Sequence, residues 1–279
     1  MAGQGTGAGI TPLADWEGRP VASWRDRWRL PILHVFDVVA STNDVARELA
    51  EHGAPGGTVI IADAQTAGRG RAGKAWHAPA GSALLLSIVL RPSLDAGSPF
   101  MPGTIPLRVG LAVARAIEQV SGIEVAIKWP NDVVVEGRGK LGGILCEASL
   151  SSSGGYVVAG IGLNVYQEEA DFAPEIRPHA VSLRTLGAPN VARAEIAGAV
   201  IEEVLHLAGS ACGPLEPPVL AELERRDALR GHEITVDGEP AGTAAGIAPD
   251  GALLVRCDGG AREVRAGTVR VRASQSYTT

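Results

Sequence analysis

Short aliphatic runs bounded by glycine dominate the first half of the chain, and they predict strands. TVIIADAQ (58–65) and SALLLSIVL (82–90) are two such runs. STNDVARELAEHG (41–53) has helical spacing instead: Val45, Ala46 and Leu49 share a face, Ser41 and Asp44 suggest a capping box, and Gly53 supplies a stop. A longer helix is expected from Ile105 to Val120. Residues 125–150 read as two or three strands, with a turn at Trp129-Pro130-Asn131-Asp132, where Pro130 cannot continue a ladder, and another at 136–140. A strand follows at 156–165, then helices from Ala194 to Leu207 and Pro218 to Arg226. After Gly231 short strands joined at Asp237-Gly238 and Asp250-Gly251 suggest a small barrel, which places a boundary near residue 230. Strands in runs, without strict strand–helix alternation, point to the α+β class. No internal repeat is visible.

Residues 1 to about 30 open glycine-rich and are expected to be flexible at first. They then bring Trp16, Trp24 and Trp28, which a short helix would pin onto the main domain. A DNA-reading module needs about three packed helices, more than this segment holds.

Composition narrows the class. The 279 residues carry a net charge of −6, with 46% hydrophobic and 20% charged residues, as in an ordinary globular protein without the basic excess of a nucleic-acid binder. Cys146, Cys212 and Cys257 are widely spaced and form no CxxC, which suits a reducing compartment and argues against a disulfide frame or a zinc site. The N-terminus lacks a basic start followed by an apolar core, and the apolar run at Ala83–Leu90 is far below the roughly 20 residues of a membrane helix. A cytoplasmic protein is expected.

GRGRAGKAW (68–76) satisfies the dinucleotide fingerprint GxGxxG and nearly satisfies a Walker A loop. Both motifs need a helix directly after the glycines. Here Pro79 and Gly81 prevent one, a strand follows, and Ala75 lacks the hydroxyl that would hold Mg²⁺. Asp95 sits where a ribose-binding acid would fall, but without the intervening helix and parallel strand. What remains is a glycine-rich hairpin loop carrying Arg69, Arg71 and Lys74, suited to an anion that orders the loop, or else a solvated basic turn. Lys128, Asn131, Asp132, Lys140 and Asn164 each fall at the end of an apolar strand and are expected to converge at one rim of a sheet. Each also has an ordinary reading as a turn former or a solvated charge.

Five ordered segments carry a resemblance: STN (41–43), QTAGRGRAGKAW (65–76), KWPNDVVV (128–135), GKLGGILCE (139–147) and GIGLNV (160–165). Together they make residues 32 to 272 resemble a biotin–protein ligase, of the class lacking an N-terminal DNA-binding domain. The resemblance implies a mixed β-sheet catalytic domain flanked by helices over 31–230, after an N-terminal extension at 1–30. A small SH3-like β-barrel would occupy 231–279.

The implied activity is adenylation of biotin by ATP, Mg²⁺ arriving with the nucleotide, followed by transfer to a lysine of a biotin carboxyl carrier protein. By resemblance Ser41, Thr42, Asn43, Gln65, Arg69, Gly70, Arg71, Lys140 and Gly143 bind biotin. Arg69, Lys74, Trp76, Lys128, Asn131 and Asn164 would bind ATP. Arg71, Lys140 and Asp132 would be catalytic, Asp132 receiving or orienting the acceptor amine. No dedicated metal cage, nucleic acid or membrane is implied, and a monomer or homodimer is expected. A lipoate- or octanoate-type acyl-adenylating enzyme and a non-catalytic biotin sensor are the alternatives.

Overall fold

The computed structural model describes residues 11–92, 100–151, 154–209 and 212–272. The expected flexible opening at 1–10 and Asp95 lie outside them. The described chain starts with a two-stranded hairpin, β1 (Asp15–Trp16) and β2 (Arg19–Pro20), and a short helix, α1 (Val21–Arg27). Next come β3 (Leu33–Val39), α2 (Thr42–Glu51), β4 (Val59–Gln65), β5 (Ala83–Leu90) and α3 (Thr104–Ser121). The three strands β6 (Ala126–Lys128), β7 (Asp132–Val135) and β8 (Gly139–Ser151) follow, then β9 (Gly154–Asn164), α4 (Arg193–Ala208) and α5 (Pro217–Arg225).

Seven strands form one mixed sheet in the order β3-β4-β5-β9-β8-β7-β6. β3 and β4 are parallel, joined through α2, and the other neighbours are antiparallel. Alternation along each strand divides the side chains between two faces. Leu84, Leu86 and Ile88 of β5 and Ile161 and Leu163 of β9 belong to the large core that contains the apolar sides of α3 and α4. On the opposite face Ile60, Ala62, Val89 and Val158 pack against Ala46 and Ala50 of α2. α2 covers only part of that face. Beyond it β9 changes from Tyr156 and Val158 to Gly160 and Gly162 at the same alternate positions, so the sheet loses its side chains where α2 stops.

Two local expectations need correction. Ser41 stands at the N-cap of α2, but no side-chain cap bond forms. The Asp44 carboxylate is taken instead by two arginines, Arg47 at 2.6 Å and Arg69 at 2.7 Å. The polar strand-end residues also do not share one rim. Cross-strand partners put Leu85, Gly162, Gly143, Asp132 and Lys128 in one row across β5, β9, β8, β7 and β6. Asn164 lies two residues further along β9, and Lys140 pairs with Val134 beyond a bulge. β6 and β7 are three and four residues long and turn back in mid-sheet, so the polar groups spread over a face.

The tryptophans pin the N-terminal segment down, although only Trp24 lies within α1. Trp24 and Trp28 stack with ring centroids 5.3 Å apart, and Trp16 meets Trp28 edge-on at 6.3 Å. Trp24 donates its indole N–H to the Trp16 carbonyl (2.9 Å), and Trp16 donates to Asp63 of β4 (3.2 Å). Arg193 of α4 reaches both Glu17 (2.6 Å) and Asp63 (2.8 Å). Because Trp24 is 8% exposed, Trp24→Ala should cost about 3–5 kcal/mol of stability, measurable as a lower midpoint in thermal or urea unfolding.

A second, five-stranded antiparallel sheet follows: β10 (Glu233–Val236), β11 (Glu239–Ile247), β12 (Leu253–Cys257), β13 (Gly260–Val264) and β14 (Val269–Val271), in the order β13-β12-β11-β10-β14. Asp237 and Gly238 both take positive φ (52° and 92°), the tight hairpin turn their sequence announces. Trp129 donates its indole N–H to Gly251 O at 2.9 Å, which ties this sheet to the β6–β7 turn. The chain is an α+β protein: a mixed sheet flanked by helices, followed by a small antiparallel unit.

Candidate active site

The uncovered part of the sheet face is the floor of a cleft of about 1440 Å³. Gly143, Gly160 and Gly162 supply a floor without side chains, on which a flat group could lie against backbone. A Cβ on Gly160 would collide with Asn43 Oδ1, and one on Gly162 would come within 2.7 Å of the Trp76 ring. Every site residue expected from the sequence lines this cleft.

At one end lies a polar pocket at the start of α2. Gln65 Oε1 accepts from the Thr42 N–H (2.8 Å) and from its hydroxyl (3.1 Å). Asn43 donates to Glu147 Oε2 at 2.7 Å. Ser87 was not anticipated. It is fully buried in β5, with Oγ 2.8 Å from Thr42 Oγ1 and 2.7 Å from Asn43 Oδ1, so its one proton serves one or the other. Such a network holds several donors and acceptors in fixed directions. The available signal was a single hydroxyl within an aliphatic run, opposite Gly160.

The arginine loop joins β4 to β5 and contains only a single 3₁₀ turn, Arg71–Gly73, so neither phosphate-loop motif is followed by its helix. It folds back on itself through Gly70 N–H to Lys74 O (2.7 Å) and Trp76 N–H to Gly68 O (2.9 Å). Its two arginines point to different partners. Arg69 makes paired bonds to Asp44 (2.7 and 2.8 Å) and approaches Glu147 at 3.7 Å. The Asp44 carboxyl is held below the usual carboxylate range, chiefly by its bond to Arg69. Arg71 reaches across the cleft to Asn131 Oδ1 at 3.4 Å.

At the other end the row of Lys128 and Asp132 meets Lys140, whose ammonium lies 2.6 Å from Asp132. Burial pushes the Lys128 amine below its ordinary value, and the nearby charges of Lys140, Arg270 and Lys74 add to the effect against the pull of Asp132. Arg270 belongs to β14, so the small sheet contributes a cation that motif reasoning did not include. Together with Arg71 these side chains gather five cations at this end, of which Lys140 is paired with Asp132. Trp76 lies between the two ends. Its indole N–H is buried without a partner among the described residues, and Lys140 Nζ sits 5.8 Å from its ring centroid. An orphaned donor, a flat ring and clustered cations fit a ligand with an aromatic base and several phosphates.

Asn131 and Asn164 are already engaged in the fold. Asn131 donates to Ile144 O (2.7 Å); Asn164 donates to Val181 O (2.9 Å) and accepts from Gln167 (2.9 Å). No group of three His, Cys, Asp or Glu side chains that could hold a metal occurs among the described residues, and no helix there is long and apolar enough to cross a membrane.

Residues 35–164 match the Biotin/lipoate A/B protein ligase family, and residues 233–272 match the Biotin protein ligase C terminal domain. A Bifunctional ligase/repressor BirA of Bacillus spizizenii is 38% identical over 161 residues, 57% of this chain and 48% of that protein. The match thus spans about half the length of that relative. A Biotin--[acetyl-CoA-carboxylase] ligase of Mycobacterium tuberculosis is 35% identical over 246 residues, covering 84% of this chain and 88% of the relative. Among solved structures, the biotin protein ligase from Aquifex aeolicus in complex with biotin and ATP superposes with a TM-score of 0.70 at 27% identity, covering 87% of this chain and 100% of that one.

Proposed function

Since the chain belongs to the biotin–protein ligase family, we propose that it joins biotin to ATP and passes the biotinyl group to a lysine of a biotin carboxyl carrier protein. The observation that carries this reading is the placing of a polar pocket and a cation cluster at opposite ends of one glycine-floored cleft. The pocket around Thr42, Asn43 and Gln65 suits a ureido ring, which needs fixed donors and acceptors within a mostly apolar wall. Ser41 and Gly70 would line its edge, and Gly143 lies on the floor toward Lys140. The cation cluster of Arg71, Lys74, Lys128, Lys140 and Arg270 suits a triphosphate, and the Trp76 ring suits adenine.

In the first step a biotin carboxylate oxygen attacks the α-phosphorus, a new C–O–P link forms, and the bond to the β-phosphate breaks with release of pyrophosphate. Both reactants are anions, so the barrier is repulsion, and fixed cations lower it by several kcal/mol. Arg71 reaches from the loop side and Lys140 from the floor side, so between them they hold the carboxylate and the phosphate. Mg²⁺ would come with ATP, bound by phosphate oxygens, and screen the same charge. In the second step the acceptor amine attacks the acyl carbon and AMP leaves. Asp132, paired with Lys140 at 2.6 Å, is the carboxylate that would receive the incoming ammonium and orient it as its proton is lost. Asn131 and Asn164 support the nucleotide side through the backbone they brace.

Transfer is tested with ATP, biotin and a carrier domain whose target lysine is intact or replaced by arginine. Biotin should appear only on the intact domain. Labelling of neither would remove the transfer step. Arg270 gives a more local test. Arg270→Ala should raise KM for ATP about tenfold, the effect of one charge-assisted contact, while KM for biotin stays within about twofold of the parent. Equal effects on both substrates would remove Arg270 from the phosphate end.

A further inference from the structure

The two arginines of the loop stand in different surroundings, and the difference assigns them different work. Arg71 faces the cleft with one long contact. Arg69 is turned away from the cations, its guanidinium laid in parallel bonds along the Asp44 carboxylate of α2, with Glu147 of β8 at 3.7 Å. Asp44, shared with Arg47, and Glu147 face Arg69 from two elements, so Arg69 carries little free charge toward an anionic ligand. Glu147 also accepts from Asn43, and Asn43 shares Ser87 with Thr42, whose N–H goes to Gln65. A chain of polar contacts therefore links the loop to the pocket at its far side, through the 3.7 Å ion pair of Arg69 with Glu147 and the Ser87 proton shared between Asn43 and Thr42.

We propose that Asp44 and Glu147 are the latch of the arginine loop: positioning residues that grip Arg69, hold the loop over the cleft, and tie its closure to the order of the Thr42–Asn43–Gln65 pocket. The inference rests on the proposed ligase reading for the consequence of closure, retention of the acyl-adenylate, but the latch itself rests on the contacts alone. Bidentate geometry makes this pair stronger than a single surface contact, while its partial exposure (37% for Arg69 and 31% for Asp44) keeps it reversible. A ligand that orders Asn43 would brace Glu147, and the loop would close more tightly when the pocket is filled.

The latch is tested without any ligand by trypsin cleavage after Arg71 and Lys74; residues 72–75 are exposed, but a protease takes several residues of extended chain into its cleft, so cutting there quickens when the loop lifts. Asp44→Asn keeps the shape and removes the charge; Arg69→Gln breaks the same pair from the other side. Both should be cut about three- to tenfold faster than the parent protein, the range expected for a partly exposed bidentate pair. Arg47→Ala removes the other arginine of Asp44 and should leave the rate unchanged. Arg69→Lys keeps the charge and gives up only the paired geometry, so it should be cut at a rate between those of the parent and Arg69→Gln, a grading that a merely damaged fold would not give. Parent-like cleavage in both Asp44→Asn and Arg69→Gln overturns the latch. Release of biotinyl-adenylate, followed separately, should quicken in the same two variants. If the parent forms no adenylate, the ligase reading fails while the cleavage result still decides the latch.

Discussion

Lys140→Ala should reduce biotin-dependent adenylation by about 10²–10³-fold, the loss typical when one preorganised group at a site of developing charge is removed. Lys140 is placed for this by a β-bulge between Val133 and Val134, which brings it out of the regular ladder and beside Asp132. Its removal has two effects. The carboxylate and the phosphate lose the cation facing Arg71, and Asp132 is left as an unpaired negative charge at the place where another anion must bind. Lys140→Met keeps the stem and should be equally inactive, whereas Lys140→Arg should keep part of the rate. Folding should be little affected, because Lys140 is partly exposed at 38%. The check is the kcat for adenylate formation at saturating substrates beside a thermal midpoint for each variant. A full rate in Lys140→Met would mean that its charge does no chemistry here.

Gly162→Ala should place a damaging methyl group on the floor of the cleft. The added Cβ would stand 2.7 Å from Cε2 and 2.9 Å from Cζ2 of Trp76, closer than real side chains pack. Gly162 lies in the centre of the sheet, paired with Leu85 and Gly143, so the backbone cannot retreat. Trp76 must lift instead, and the floor rises by one methyl beneath any group lying on it. A displacement of about 1 Å near reacting groups costs on the order of 10²-fold, so kcat/KM for biotin should fall by about that factor while the unfolding midpoint stays close to the parent's. Gly213→Ala is the control, because a Cβ there meets nothing within 4 Å. Similar activity in Gly162→Ala and the control would mean that the glycine floor is not where ligand lies.

Much of this was legible because strong local signals agreed with the fold. Pro79 and Gly81 excluded a helix after the arginine loop, and β4 and β5 are indeed antiparallel neighbours joined by that loop. Clustered chemistry in STN, KWPND and GKLGG indicated a single site, and one cleft contains all of it. What escaped depended on register and on contacts between distant segments. Strand ends look alike in sequence whether they meet at a rim or turn back in mid-sheet, so the row Gly162–Gly143–Asp132–Lys128 could not be read from spacing. Asp44 has the right position for a capping box, yet a guanidinium 25 residues away competes for it and wins, because two charged bonds outweigh one backbone N–H. Arg270 is an ordinary exposed-strand arginine by pattern, and only the docking of the second sheet brings it to Lys128.

The proposed activity of this cleft is the activation of biotin as an acyl-adenylate. The direct test is ATP–pyrophosphate exchange in the purified chain, with biotin, lipoate or octanoate as the only acid and with Arg71→Ala and Lys140→Ala measured beside it. Exchange that requires biotin and collapses in both variants is the result expected from the geometry. Exchange supported by lipoate or octanoate and not by biotin would contradict the assignment of the pocket. Tight binding of biotin with no exchange in the parent protein would contradict catalysis and leave a biotin sensor.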